Sequence, residues 1–148
     1  MISVLNKNFM MAALAVAGLI NASTGWADGP FAGALGPGNA NFAPTDVYRL
    51  TCPAGTASVR ARVNNPNGNP VDEITVQIIA PSGAVRSAIS LEGVAPPTAI
   101  LSGVAGRYLV TVHKDSTLLG ANFSISLDCY TAAGSAIPGI QTVRIQNQ

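Results

Sequence analysis

The sequence predicts an all-β protein, a single antiparallel β-sandwich of about seven to eight strands. Short runs alternate apolar and polar residues, and turn residues interrupt them about every 8 to 12 positions. Beyond the N-terminal segment, no window shows the apolar stripe and caps of an amphipathic helix. The two cysteines each end an alternating run, as residues of a sandwich core would.

Residues 1–27 have the pattern of a secretory signal peptide. Lys7 precedes the apolar stretch 9–20, and Gly25 and Ala27 place small residues where signal peptidase reads them. The stretch is shorter than the roughly 20 residues that a membrane-spanning helix needs. We therefore predict cleavage after Ala27, export to the periplasm or the extracellular space, and no membrane span in the mature chain.

The charges that remain after this cleavage are balanced. Of the eight Lys and Arg residues Lys7 is lost, which leaves seven against seven Asp and Glu. A neutral chain with dispersed charges lacks the positive field that nucleic acids attract, and it lacks the acidic surplus of a calcium-loaded module. We predict no nucleic-acid partner.

The mature chain divides into three parts. Residues 28–45 are rich in Gly, Pro, Ala and Asn without a period of 2 or 3.6, which predicts an extended leader that Phe31, Leu35 and Phe42 could attach to the domain surface. Residues 46–130 form the predicted sandwich, and residues 131–148 form a tail that either adds an edge strand or stays mobile.

Seven strands are predicted within the sandwich, at 47–52, 57–64, 73–80, 84–91, 98–102, 107–113 and 122–130. In the second of them the alternation directs Val59, Ala61 and Val63 inward and Arg60 and Arg62 outward. In the third, the nearly continuous apolar run predicts a strand in the middle of a sheet.

Cys52 and Cys129 are the only cysteines of the chain. Two cysteines in an exported protein usually pair, and these two end the runs Tyr48-x-Leu50-x-Cys52 and Phe123-x-Ile125-x-Leu127-x-Cys129. We predict a disulfide between them that links the first core strand to the last.

Candidate catalytic residues are few. His113 is the only histidine, and it lies on the face of its strand opposite Tyr108. Nucleophilic hydrolysis needs a base beside the nucleophile, and the neighbouring Asp115 and Ser116 do not form such a site with it. We predict no catalytic residue.

Paired acids and metal ligands are equally sparse. Asp72 and Glu73 lie together at a loop-strand boundary, where solvated turn positions are expected rather than glycoside chemistry. The cysteine and histidine spacing fits no zinc site, and no calcium loop motif is present. We predict no metal site and no cofactor, with a calcium site of loop carbonyls plus Asp46, Asp72 or Asp115 as the open alternative.

Aromatic residues give little support to a sugar-stacking platform. Three aromatic residues are candidates for the surface of the mature chain: Tyr130, Phe31 and Phe42. Carbohydrate-binding modules of this architecture usually stack sugars on such exposed rings.

Four segments carry a family resemblance, namely 46–52, 74–83, 105–115 and 122–127. Their order of an Asp-x-Tyr-x-Leu strand, a Pro-x-Gly hairpin, a Gly-x-Tyr-x-Val-x-Val strand and an Asn-Phe-x-Ile-x-Leu strand resembles the bacterial pre-peptidase C-terminal domain and its jelly-roll-like relatives. The resemblance implies a jelly-roll-like sandwich that is not itself catalytic and that accompanies secreted enzymes, assisting secretion or contacting a surface or polymer.

The predicted function is therefore that of an exported, non-catalytic module that binds a protein or an extracellular polymer. One alternative is a structural subunit that assembles by edge-strand addition through its Gly-rich leader or its tail. A second is a small metal-dependent or hydrolytic enzyme. We expect any specific activity in loops 64–72 and 114–121 or in the segments outside the disulfide.

Overall fold

The structure, a computed structural model, describes residues 30–36, 44–66, 73–91, 95–114 and 120–147. Within these ranges all helical or extended elements are β-strands, and no helix is present. The nine strands are β1 (Phe31–Leu35), β2 (Thr45–Cys52), β3 (Ser58–Asn64), β4 (Ile74–Ile79), β5 (Val85–Ser90), β6 (Ala99–Ser102), β7 (Gly106–Lys114), β8 (Ala121–Tyr130) and β9 (Gln141–Gln146). The described part of the chain thus holds no helix that could cross a membrane. The predicted signal peptide, residues 1–27, lies outside it.

The strands form two antiparallel sheets that face each other. One has the order β1-β8-β3-β6 and the other the order β5-β4-β7-β2-β9. Apart from β9, this is the strand order of a jelly roll, in which the chain passes repeatedly from one sheet to the other. The predicted all-β, jelly-roll-like sandwich is confirmed, with nine strands among the described residues instead of about seven to eight.

The core lies between the sheets and follows from the alternation of each strand. In β3, Val59, Ala61 and Val63 are buried, while Arg60 and Arg62 point to the outer side, as predicted. In the central strand β4 even Thr75, on the outer face, is only 8% exposed. Because successive strand residues point to opposite faces, the inner faces supply almost all of the buried apolar side chains.

The disulfide joins the two sheets at one end of the sandwich. Cys52 ends β2 in the five-stranded sheet, and Cys129 lies near the end of β8 in the four-stranded sheet. Their Cα atoms are 5.8 Å apart, and both side chains are buried. The predicted pairing is confirmed, and it places a covalent link between sheets instead of within one.

The sandwich extends beyond the predicted boundaries of 46 and 130 on both sides. Within the predicted leader, Phe31–Leu35 forms β1 and pairs with β8, and the tail supplies β9, which pairs with β2. Leu35 is 1% exposed and belongs to the core. Residue 114, predicted to begin a loop, is the last residue of β7, and its side chain is fully buried.

The sequence of β1 does not show the full apolar alternation of a strand, because one of its inward-facing residues is glycine. Phe31, Gly33 and Leu35 share the inner face, so the alternation is present but its middle member has no side chain. A Cβ atom at Gly33 would overlap the ring of Phe123, which is 2% exposed. The inner face of β1 therefore requires glycine at the position where a strand pattern would show an apolar residue.

Arg144 connects the two sheets along one open edge of the sandwich, where β9 of one sheet lies beside β1 of the other. It projects from β9, and its Nη2 donates a hydrogen bond of 3.0 Å to the carbonyl oxygen of Ala32 in β1. Its Nη1 lies 3.6 Å from the carboxylate of Asp46, which is fully buried in β2. The guanidinium carbon is 5.7 Å from the ring centre of Tyr48, whose ring lies 6.4 Å from that of Phe31. One side chain thus contacts both layers.

The surroundings of Tyr48 at this edge change the pKa of its hydroxyl. Burial raises the pKa of its hydroxyl above the ordinary 10.0; the Arg144 guanidinium opposes the rise in pKa, and the Asp46 carboxylate adds to it. The folded protein therefore favours the protonated phenol. The stabilisation that this preference gives is complete below the unfolded pKa and is lost as the pH rises through the folded one.

We expect Gly33→Ala to destabilise the sandwich by about 1 to 3 kcal/mol, because the added methyl group must displace the buried ring of Phe123. Urea denaturation followed by circular dichroism measures the change. Ala34→Ser, on the exposed face of the same strand, is the matched control and should differ little from the wild type. Equal stability of Gly33→Ala and the control would contradict the placement of β1 in the sandwich.

We expect the free energy of unfolding to fall as the pH rises above about 10, and to fall less in Tyr48→Phe, because the variant has no phenol to ionise. Denaturant titrations at several pH values between 8 and 11 measure this slope. Tyr130→Phe should retain the wild-type slope, since it leaves Tyr48 in place. Parallel slopes for the wild type and Tyr48→Phe would contradict the prediction.

Candidate functional site

The outer face of the four-stranded sheet carries a polar patch on its two central strands, β3 and β8. The register sets Ser58 opposite Tyr130, Arg60 opposite Asp128, Arg62 opposite Ser126, and Asn64 opposite Ser124. Every one of these side chains bears a hydrogen-bonding group. The patch is continuous because directly opposite side chains on neighbouring strands lie close together.

Two adjoining cavities form a groove on this patch. The larger encloses about 350 Å³ and is lined by Pro30, Arg62, Asn64, Pro96, Ser124 and Ser126. The smaller encloses about 110 Å³ and is lined by Arg60, Arg62, Thr98, Ser126, Asp128 and Tyr130. Because Arg62 and Ser126 line both, we treat the two cavities as one site and call it the β3–β8 groove.

The groove is concave because the side chains on its floor are short. Ser124 and Ser126 on β8 are short, so the floor there stays close to the backbone. Pro30, just before β1, and Pro96, ahead of β6, line the same cavity from the two flanking strands of the sheet. The jelly-roll order therefore creates the walls of the groove.

Arg60 is fixed against an aromatic ring at one end of the groove. Its guanidinium carbon lies 3.9 Å from the ring centre of Tyr130, the geometry of a cation–π contact. Asp128, only 2% exposed, lies directly opposite Arg60 on β8. The pairing of β3 with β8 consequently places the guanidinium of Arg60 over the ring of Tyr130.

The groove can bind polar groups of a ligand through side chains that project mainly from β-strands. Arginine donates in a planar fork, serine and threonine hydroxyls both donate and accept, and asparagine does both through its amide. Among the described residues that line the cavities, Asp128 is the single carboxylate. The described residues also contain no group of three or more His, Cys, Asp or Glu side chains that could hold a metal ion.

The residues considered for catalysis or metal binding lie elsewhere. His113 is half-buried on the outer face of the five-stranded sheet, opposite Thr45 and Thr75. Asp46 faces the interior beside Arg144. Asp72, Asp115 and Ser116 lie outside the described residues, as does most of loops 64–72 and 114–121. The structure does not bring the described members of this set together.

Of the three aromatic surface candidates, one belongs to the groove. Tyr130 lines its smaller cavity beneath Arg60, whereas Phe31 points inward and packs against the core. Phe42 lies outside the described residues. Arg60 and Arg62 were correctly predicted to face outward, but the groove depends on the pairing of β3 with β8, which joins residues 60 or more positions apart in the chain.

A sequence signal for the groove exists in retrospect. Both strands show uninterrupted polar positions on one face, Ser58-x-Arg60-x-Arg62-x-Asn64 and Ser124-x-Ser126-x-Asp128-x-Tyr130. Each pattern alone describes a wet face of any sandwich. Their meaning as a site appears once the two strands are adjacent.

Comparison with known proteins assigns the chain to no family. No protein-family model matches it, and no curated protein matches it. The functional interpretation therefore rests on the fold, the disulfide and the groove.

We expect Arg60 and Tyr130 to be energetically coupled by about 0.5 to 2 kcal/mol, because the guanidinium lies over the ring. A double-mutant cycle with Arg60→Met and Tyr130→Leu, measured by urea denaturation, gives this value. The control cycle pairs Tyr130→Leu with Arg49→Met on the other sheet, and its effects should add. Additive effects in the first cycle would show that the contact contributes nothing measurable.

Proposed function

We propose that this protein is an exported, non-catalytic module that binds a cell-surface component, a polymer or a protein through the β3–β8 groove. The observation that supports this function most directly is the groove itself, a polar concavity built on four antiparallel strands. Sites whose side chains project from strands are held more precisely than sites on loops. Such a surface can recognise a ligand without rearrangement of the fold.

The composition of the groove favours binding over catalysis. Glycoside hydrolysis uses two carboxyl groups on opposite sides of the scissile bond, whereas a single carboxylate lines the described walls. His113, the only histidine of the chain, projects from the other sheet, so it is not available as a base for the groove serines. Both features support a non-catalytic role.

Export is supported by two independent features. Disulfides persist in oxidising compartments, and the link between Cys52 and Cys129 is typical of proteins outside the cytoplasm. Residues 1–27 have the composition of a signal peptide. Together they favour a protein that acts in the periplasm or outside the cell.

The resemblance to the pre-peptidase C-terminal domain supports an accessory role. The jelly-roll order of the strands agrees with the fold that this resemblance implies. Domains of that kind accompany secreted enzymes and contact surfaces or polymers. We therefore place the proposed partner at the cell envelope or among secreted material.

The alternative of assembly by edge-strand addition is less favoured by this fold, although β1 and β9 are themselves edge strands of their sheets. The two segments that suggested it, in the leader and the tail, complete the chain's own sheets as β1 and β9. The pairing of β9 with β2 contains a register shift at Val47/Tyr48, and bulges of this kind make an edge less suitable for extension.

We expect Ser126→Phe to weaken ligand binding at least tenfold, because the ring would fill the part of the groove that both cavities share. Co-sedimentation with purified cell-wall material and with a panel of insoluble polysaccharides measures binding. Ser87→Phe, on the exposed outer face of the five-stranded sheet, is the matched control. If the two variants bind as the wild type does, the groove is not the binding site.

A further inference from the structure

The charge of the β3–β8 groove differs from that of the whole chain. After removal of residues 1–27 the chain is neutral, yet the two cavities are lined by two guanidinium groups and one carboxylate. The only other ionisable group of the lining is the Tyr130 phenol, which is ordinarily neutral at pH 7. The groove is therefore a local positive region on a neutral protein, and charge complementarity selects an anionic ligand.

The two arginines occupy different positions in this positive region. Arg60 is held over Tyr130 and lies opposite the buried Asp128. Arg62 lies opposite Ser126, interacts with another group of the protein, and lines both cavities. A ligand lying along the groove thus passes Arg62 wherever it crosses from one cavity to the other. The planar guanidinium fork matches a carboxylate in geometry and charge.

Hydroxyl and amide groups surround this arginine. Ser124, Ser126, Thr98 and Asn64 line the groove beside it, and each can donate as well as accept hydrogen bonds. From Ser124 to Tyr130 the floor follows β8 for about 20 Å, given a rise of roughly 3.4 Å per strand residue. A chain of hydroxyl-bearing units that carries carboxylates matches this lining, with one carboxylate at Arg62 and sugar hydroxyls along the rest of the groove.

The apolar content of the lining argues against a peptide ligand. Peptide side chains are commonly selected by apolar sockets, and Pro30 and Pro96 are the only apolar residues among the described lining residues. Val85, Leu109 and Val143, on the outer face of the five-stranded sheet, are each more than 40% exposed. On the outer face of the four-stranded sheet Ile100, opposite Arg60 on β6, is 50% exposed but is not among the described residues that line the cavities. It is therefore the lining of the groove, and not the whole outer face, that is poor in apolar residues.

We propose that the β3–β8 groove binds an acidic polysaccharide of uronic-acid type, with Arg62 recognising a carboxylate and the neighbouring hydroxyl and amide side chains recognising sugar hydroxyls. This inference rests on the proposed function and adds the class of ligand. It does not require a stacking platform, because the specific contacts are charge-assisted and neutral hydrogen bonds.

The test uses polygalacturonate, alginate and hyaluronate as probes, with methyl-esterified polygalacturonate as the neutral form of the first. Calorimetric titration and affinity electrophoresis measure binding at low salt. We expect at least one acidic polymer to bind, and at least tenfold weaker binding of that polymer after its carboxylates are esterified. Arg62→Gln should weaken binding at least tenfold, whereas Arg49→Gln, the same change of charge on the other sheet, should stay within twofold of the wild type.

Several outcomes would overturn the inference. Binding that survives esterification, or that Arg62→Gln and Arg49→Gln weaken equally, would show that no carboxylate is recognised at Arg62. Polyglutamate serves as an additional probe, a polyacid without sugar units, and its binding as tightly as the acidic polysaccharides would show that the groove does not recognise sugar, which would overturn the class of ligand. If none of the acidic polymers binds but Ser126→Phe abolishes binding to a neutral polysaccharide or cell-wall material, the ligand class is wrong and the proposed function stands. If nothing in either panel binds, both fail.

Discussion

The burial of one face of each sheet against the other is the constraint on which the rest of this structure depends. Side chains alternate along every strand, so fixing the inner residues fixes the outer ones. Val59, Ala61 and Val63 lie in the core with essentially no exposure, and Arg60 and Arg62 are thereby directed to the opposite face. The proposed binding groove is therefore a consequence of how the core packs.

The jelly-roll order decides what those outward residues meet. β8 lies between β1 and β3, and β6 closes the sheet on the far side of β3. This order sets the serines of β8 beside the arginines of β3 and brings Pro30 and Pro96 to the two sides of one cavity. A different order of the same strands would leave each polar face separate. The site is thus a property of the topology as much as of the residues.

Two features hold the layers together at different places. The disulfide links the ends of β2 and β8, and a loop of that size restricts the unfolded chain enough to stabilise the fold by roughly 4 to 5 kcal/mol. Along the open edge, Arg144 on β9 contacts the backbone of β1 and the buried carboxylate of Asp46. Because β1 also flanks the groove, the edge contact and the groove are connected through one short strand.

The sequence by itself determined the class of fold, the inner and outer faces of the central strands, and the disulfide. These follow from the alternation of apolar and polar residues, from turn residues, and from the two cysteines that follow a segment with the pattern of a signal peptide, all of which are local patterns or composition. It did not determine that residues 31–35 form a strand, because the inward position of Gly33 is required by Phe123, about 90 residues away. Nor did it determine the groove, because Arg62 and Ser126 become neighbours only when β3 pairs with β8. Local patterns fix which face a residue occupies, while long-range strand pairing decides which residues share that face.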